Sequence, residues 1–130
     1  MTADRAASLK TELEPLRGAR WPIRCGHAFS ASEMARLRQG LWPRDMDDRW
    51  AVWLDGSVLR CWRSWTNTCI YETQLSVSDD GTGVAIVLDV LDDKEAYQRA
   101  STDAAELERF EGVLSLVWRR EFESGQLTDI

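Results

Sequence analysis

Val58-Leu59-Arg60-Cys61-Trp62-Arg63-Ser64-Trp65-Thr66-Asn67-Thr68-Cys69-Ile70-Tyr71 is the stretch whose reading decides the fold. It has a period of two, which sends Leu59, Cys61, Arg63 and Trp65 to one side of a strand and Val58, Arg60, Trp62 and Ser64 to the other. The polar run Thr66-Asn67-Thr68 then breaks it, as a turn does, so the stretch reads as a hairpin. Neither face is wholly apolar. This pattern suits a strand that packs on a helix on one side and presents Arg and Trp on the other.

Working outward, the alternation extends over residues 50–54, 58–65, 69–77 and 84–91. These are separated by Asp55-Gly56, Thr66-Asn67 and Asp79-Asp80-Gly81-Thr82-Gly83, each a turn signal. Connections this short join antiparallel neighbours, so a four-stranded meander over about 50–91 is expected and a dinucleotide-binding crossover is not. Residues 17–26, with Gly18 and Pro22, read as irregular or as a short edge strand. The period becomes helical on either side of the meander. Residues 2–14 carry Ala6, Leu9 and Leu13 on one face, with Leu16 following Pro15. Ser30 and Glu33 form a capping box ahead of Met34, Leu37 and Leu41, and Gly40 and Pro43 end that helix. Residues 43–48 read as an acidic loop. Helix is expected again near 94–100 and from Asp103, where Glu106 reads as a second capping-box partner and Leu107, Phe110, Leu114, Val117 and Trp118 form a stripe to cover the sheet. The fold class expected is α+β, one domain over 1–130, with 1–17 and 123–130 the least firmly packed.

The 130 residues carry a net charge of −6, unevenly distributed. Residues 1–78 hold 11 basic and 9 acidic side chains, and residues 79–130 hold 5 and 13. An acidic C-terminal part repels phosphate backbones and anionic membranes, which argues against general nucleic-acid or membrane binding and suits steering of a basic protein. No signal peptide or long apolar run is apparent, and three cysteines, Cys25, Cys61 and Cys69, are an odd number, so a cytoplasmic, reduced protein is expected. Cys61 would lie opposite about residue 72, which disfavours a bridge to Cys69. With one histidine, His27, and no CxxC, neither a zinc site nor a cofactor is implied. Asp45, Asp47 and Asp48 lack the glycine and spacing of a calcium loop, and Arg44 and Arg49 compete for their carboxylates.

Seven of the twelve aromatic residues are Trp, and five of these lie within residues 42–65. The candidate binding residues are therefore Trp62, Arg63, Ser64, Trp65, Thr66, Asn67 and Tyr71 of the hairpin, with Asp47 and Asp48 of the neighbouring loop. Arg63 among hydroxyls suits bidentate recognition of phosphate or carboxylate. Its structural alternative is stacking on Trp65 or pairing with Asp47 or Asp48. No catalytic residue is assigned; His27, Asp47 and Asp48 are the only candidate bases for an enzyme at this site.

The segment Met46-Asp47-Asp48-Arg49-Trp50 with Arg63-Ser64-Trp65-Thr66-Asn67-Thr68-Cys69-Ile70-Tyr71 resembles a family of small uncharacterised bacterial proteins. Their motif runs Met-Asp-Asp-Arg/Lys-Trp and then His-Arg-Ser-Trp-Thr-Gly-x-Cys-Ile-Tyr. The resemblance spans about residues 43–75. Trp62 stands at the family's His and Asn67 at its Gly, a mild change because Asn also tolerates positive φ. The resemblance implies a shared α+β core, and loss of the His lowers an enzymatic reading.

Two function classes follow. The first is a small acidic non-catalytic protein-binding module, of the immunity or inhibitor kind, acting on a basic target. The alternative is a binding protein or hydrolase for a nucleotide or ADP-ribose-like small molecule, with Arg63 on phosphate and Trp62 or Trp65 on the base. A homo-oligomer joined through an exposed strand or Trp face is a third arrangement.

Overall fold

Alternation places four of the strands correctly: β2 (Trp50–Asp55), β3 (Val58–Arg63), β4 (Thr68–Val77) and β5 (Gly83–Leu91) form the expected antiparallel meander. The sheet has a fifth strand, β1 (Arg20–Phe29), which pairs antiparallel with β5 and gives the order β1-β5-β4-β3-β2. The four-strand expectation is thereby corrected. Of the two readings of residues 17–26, irregular or a short edge strand, the structure has the edge strand, although Pro22 and Gly26 interrupt its alternation. Both are tolerated because β1 is an edge strand with a register shift between Arg24 and His27, where Gly26 adopts φ +64°. The structure, a computed structural model, describes residues 2–44 and 48–129, with side chains for 7–44 and 48–119.

Three helices complete the α+β fold: α1 (Thr2–Glu12), α2 (Ala31–Gln39) and α3 (Asp103–Asp129). The capping box on α2 forms as read, with Glu33 N–H donating to Ser30 Oγ and Ser30 N–H to the Glu33 carboxylate. Two expectations at the other end fail. Residues 94–100 make a turn on Asp93, whose carbonyl accepts from Ala96 and Tyr97, and no helix. The cap of α3 is Thr102, whose hydroxyl accepts from Ala105 N, so Glu106 is not a capping residue. The backbone of α3 continues as helix through 123–129.

On one face of the sheet, Phe110, Val113, Leu114 and Val117 of α3 are buried in one core with Val52, Cys61, Tyr71, Leu88 and Val90, and α2 packs beside α3 against β2. On the other face the segment that follows α1 lies across β3 and β4. Trp62 donates its indole N–H to Glu14 O at 2.7 Å, and Leu16 N–H donates to the Glu72 carboxylate. The cysteines are all free thiols. Burial pushes Cys61 up and Cys69 up to about 12, which leaves both poor nucleophiles.

Most of the Trp excess serves the fold. Trp53 and Trp42 donate their indole N–H groups to Arg38 O and Gln39 O, carbonyls at the C-terminal end of α2 that the helix itself leaves unpaired. Trp21 reaches the Asp103 carboxylate at the start of α3, Trp50 stacks on Tyr71, and Trp62 is 2% exposed. Trp65, 65% exposed, is the exception.

Candidate functional site

The β3–β4 hairpin turns through four residues, Ser64 to Asn67. Asn67, the one described non-glycine residue at positive φ (+57°), donates its N–H to Arg63 O. The turn lifts Trp65 out of the strand and away from the core. Residues 48 and 49 are tied to it by backbone: Ser64 N–H donates to Arg49 O and Ser64 Oγ to Asp48 O. The loop is thus locked to the hairpin through Ser64, and among the described residues Arg63 makes no ion pair that joins in.

Beside this turn, the 92–102 segment leaves the end of β5 and folds back, so that Arg49, Arg63, Trp65, Thr66, Lys94, Glu95, Ala96, Tyr97 and Gln98 line an open groove of about 340 Å³. Among the described residues three cations and one carboxylate line it, in a protein whose net charge is −6. The Arg63 guanidinium lies over the rings of Trp50 (5.1 Å) and Tyr97 (5.9 Å), and Arg49 lies over Trp65 (5.3 Å). Two aromatic rings thus hold the Arg63 guanidinium in place, and its buried Nε has no hydrogen-bond partner among the described residues. A guanidinium suits a bidentate acceptor such as phosphate or carboxylate.

Behind the groove sits a fully buried carboxylate. Glu106 Oε2 accepts from Tyr71 OH and Tyr97 OH, the chain's two tyrosines, each at 2.5 Å, and Oε1 accepts from Ala100 N at 2.7 Å. Arg109 donates to Tyr97 OH (2.6 Å) and to Gln98 O (2.9 Å). Burial first, and then the Glu106 carboxylate, pushes both phenols above their usual range, so both stay protonated as donors.

Of the nine residues singled out in the sequence, the groove brings together Arg63, Trp65 and Thr66. Trp62 lies on the opposite face of the sheet, under the 14–16 segment. Tyr71 is in the core on Glu106, and Ser64 is used in the loop lock. Asn67 lines a separate shallow cleft with Glu14, Pro15 and Arg17. Asp48 accepts from Arg44 N and faces the Arg44 guanidinium at 3.7 Å. Asp47 lies outside the described residues. His27 packs on Phe29 and faces Glu111 of α3 at 3.7 Å, at the far end of β1 from the groove. Sequence reasoning missed Arg49, Lys94, Tyr97 and Gln98 as lining residues. It also missed Glu106, although its spacing from Phe110 and Val113 puts it on the buried stripe.

Among the described residues no helix is long and apolar enough to cross a membrane. No family model matches the chain, and no match to it is found among curated proteins or solved structures.

Proposed function

We propose that the chain is a non-catalytic binding protein whose hairpin groove takes an anionic small molecule carrying a planar ring, of nucleotide or ADP-ribose-like character. One observation carries this reading: Arg63, its guanidinium over the rings of Trp50 and Tyr97, lines a groove where the described residues place three cations and one carboxylate beside an exposed indole. In the proposed complex Arg63 and Lys94 hold the anion, and the exposed Trp65 stacks on the ring. The resemblance to small bacterial proteins belongs to the same proposal, since its motif supplies Arg63, Trp65 and Thr66. A His at position 62 would face the 14–16 segment and not the groove, so its replacement by Trp62 leaves the ligand side intact. The expected location is the bacterial cytoplasm.

The test is a thermal-shift and calorimetric titration with inorganic phosphate, AMP and ADP-ribose. Binding at a ligand concentration 100 times Kd adds about 2.7 kcal/mol of stability. R63Q abolishes it, and rising salt weakens it. A wild-type protein that binds none of the three overturns the reading.

A second reading, an immunity- or inhibitor-type module acting on a basic protein, is favoured by the 65% exposure of Trp65 and by exposed acids, Asp103, Glu108 and Glu111, along α3. It predicts a basic partner whose capture weakens with salt and is lost in W65A. Capture that survives W65A counts against it.

A further inference from the structure

We propose that Glu106, which does not line the groove, is its positioning residue: this buried carboxylate holds the 92–102 segment that supplies half the groove's lining. The proposal rests on the anion-groove reading and adds what builds the site. The segment has no regular secondary structure, so its place depends on a few ties. At its start Asp92 N–H donates to Ala19 O, and Arg99 lies on Trp21. The ties between these flanks converge on one carboxylate. Tyr97 OH and Ala100 N–H both donate to Glu106, and Arg109, which bonds Gln98 O, is itself oriented by Tyr97 OH. Tyr97 is in turn one of the two rings over which the Arg63 guanidinium lies. The chain of contact runs from Glu106 through Tyr97 to Arg63. Loss of the acceptor would release Tyr97, Gln98 and Ala100 together and leave Arg63 with one ring in place of two.

The two tyrosines provide a matched test, because each gives Glu106 Oε2 one hydroxyl at 2.5 Å but only Tyr97 belongs to the segment. Y71F removes one charge-assisted bond from that oxygen, whereas Y97F removes one and also the Arg109 bond to its hydroxyl, so Y97F should cost somewhat more in melting temperature. Their effect on the groove should differ. In limited digestion with trypsin, Y97F should be cut after Lys94 and Arg99 about tenfold faster than wild type, while Y71F stays within about twofold. With ADP-ribose as probe, Y97F should lose about tenfold in affinity and Y71F little. E106Q, which forfeits the charge on all three bonds, should follow Y97F if it folds. Equal cleavage and equal affinity in Y71F and Y97F would overturn the proposal. The digestion needs no ligand, so a wild-type protein that binds no phosphate probe defeats the anion reading while cleavage still decides what Glu106 does.

Discussion

Glu72→Gln should destabilise this protein by about 2–4 kcal/mol at neutral pH, and the loss should shrink in acid. Glu72 lies on the sheet face opposite α3, with its side chain 14% exposed. Its Oε2 accepts from Arg60 Nε at 2.6 Å and Leu16 N at 3.2 Å, and its Oε1 from Arg20 Nη1 at 3.0 Å. Burial alone would raise the carboxyl pKa, but the Arg60 guanidinium, the Leu16 N–H and Arg20 together outweigh it and hold Glu72 below the usual carboxylate range. A neutral amide keeps the shape, loses the charge and sets an NH₂ against donors. The Arg60 bond accounts for most of the loss, at about 1.5–3 kcal/mol. Arg20 contributes about 0–1 kcal/mol, because it is more exposed and Asp89 also holds it at 2.9 Å. Against a total stability of about 5–15 kcal/mol this is a large fraction, and it corresponds to a fall in melting temperature of about 10 °C. The pH dependence follows in sign. A carboxyl whose folded pKa is depressed contributes in full above the unfolded value of about 4.3, and that contribution disappears as pH falls through the folded value. Urea melts of wild type and variant at pH 7, 5 and 3 should therefore show a gap that is constant down to about pH 5 and then closes. A gap below about 0.5 kcal/mol at pH 7, or one that persists or widens in acid, would refute the reasoning.

Three further outcomes can be checked by urea or thermal denaturation. Trp62→Ala should cost about 3–5 kcal/mol, because it empties a buried site and orphans Glu14 O, whereas Trp65→Ala should stay within about 0.5 kcal/mol. Equal costs would mean that the two indoles are not divided between core and surface as described. Asn67→Ala should lose about 1 kcal/mol, since its φ of +57° penalises a Cβ without a local hydrogen-bonding group, and Asn67→Gly should be close to neutral. Gly40→Ala should lower the melting temperature by several degrees. A Cβ there would lie 2.7 Å from the Trp42 ring at φ +88°, and a variant as stable as wild type would show that the ring can move aside.

The hairpin and its neighbours were legible because each signal was local. Asp55-Gly56 and Thr66-Asn67 mark turns by their own backbone preferences, and the alternation between them needs no partner to be recognised. β1 was only half legible, as a short edge strand or an irregular run, because a strand with Pro22 and a bulge at Cys25-Gly26 has no clean period. What makes it a strand is the open edge of β5. Glu106 misled for a related reason. A Glu three residues after Asp103 looks like a cap, and only the arrival of Tyr71 from β4 and Tyr97 from the preceding segment makes burial of that carboxylate affordable. At the groove, Arg63, Trp65 and Thr66 could be found because they share one turn. Arg49, Lys94, Tyr97 and Gln98 come from segments on either side of it.

By itself, then, the sequence determined the α+β class, the antiparallel meander, the capped α2, the amphipathic α3 and the segment where Arg and Trp concentrate, all from interactions within a few residues of each other. Only the tertiary structure decided which tryptophans serve the fold and that Trp65 is the most exposed of the large hydrophobic side chains described. The period already put Trp62 and Arg63 on opposite faces, but only the tertiary structure decided what covers each, the 14–16 segment for one and the rings of Trp50 and Tyr97 for the other. The reason is that a strand's period assigns side chains to two faces but does not say what covers each. That depends on elements elsewhere in the chain, whose packing is a property of the whole.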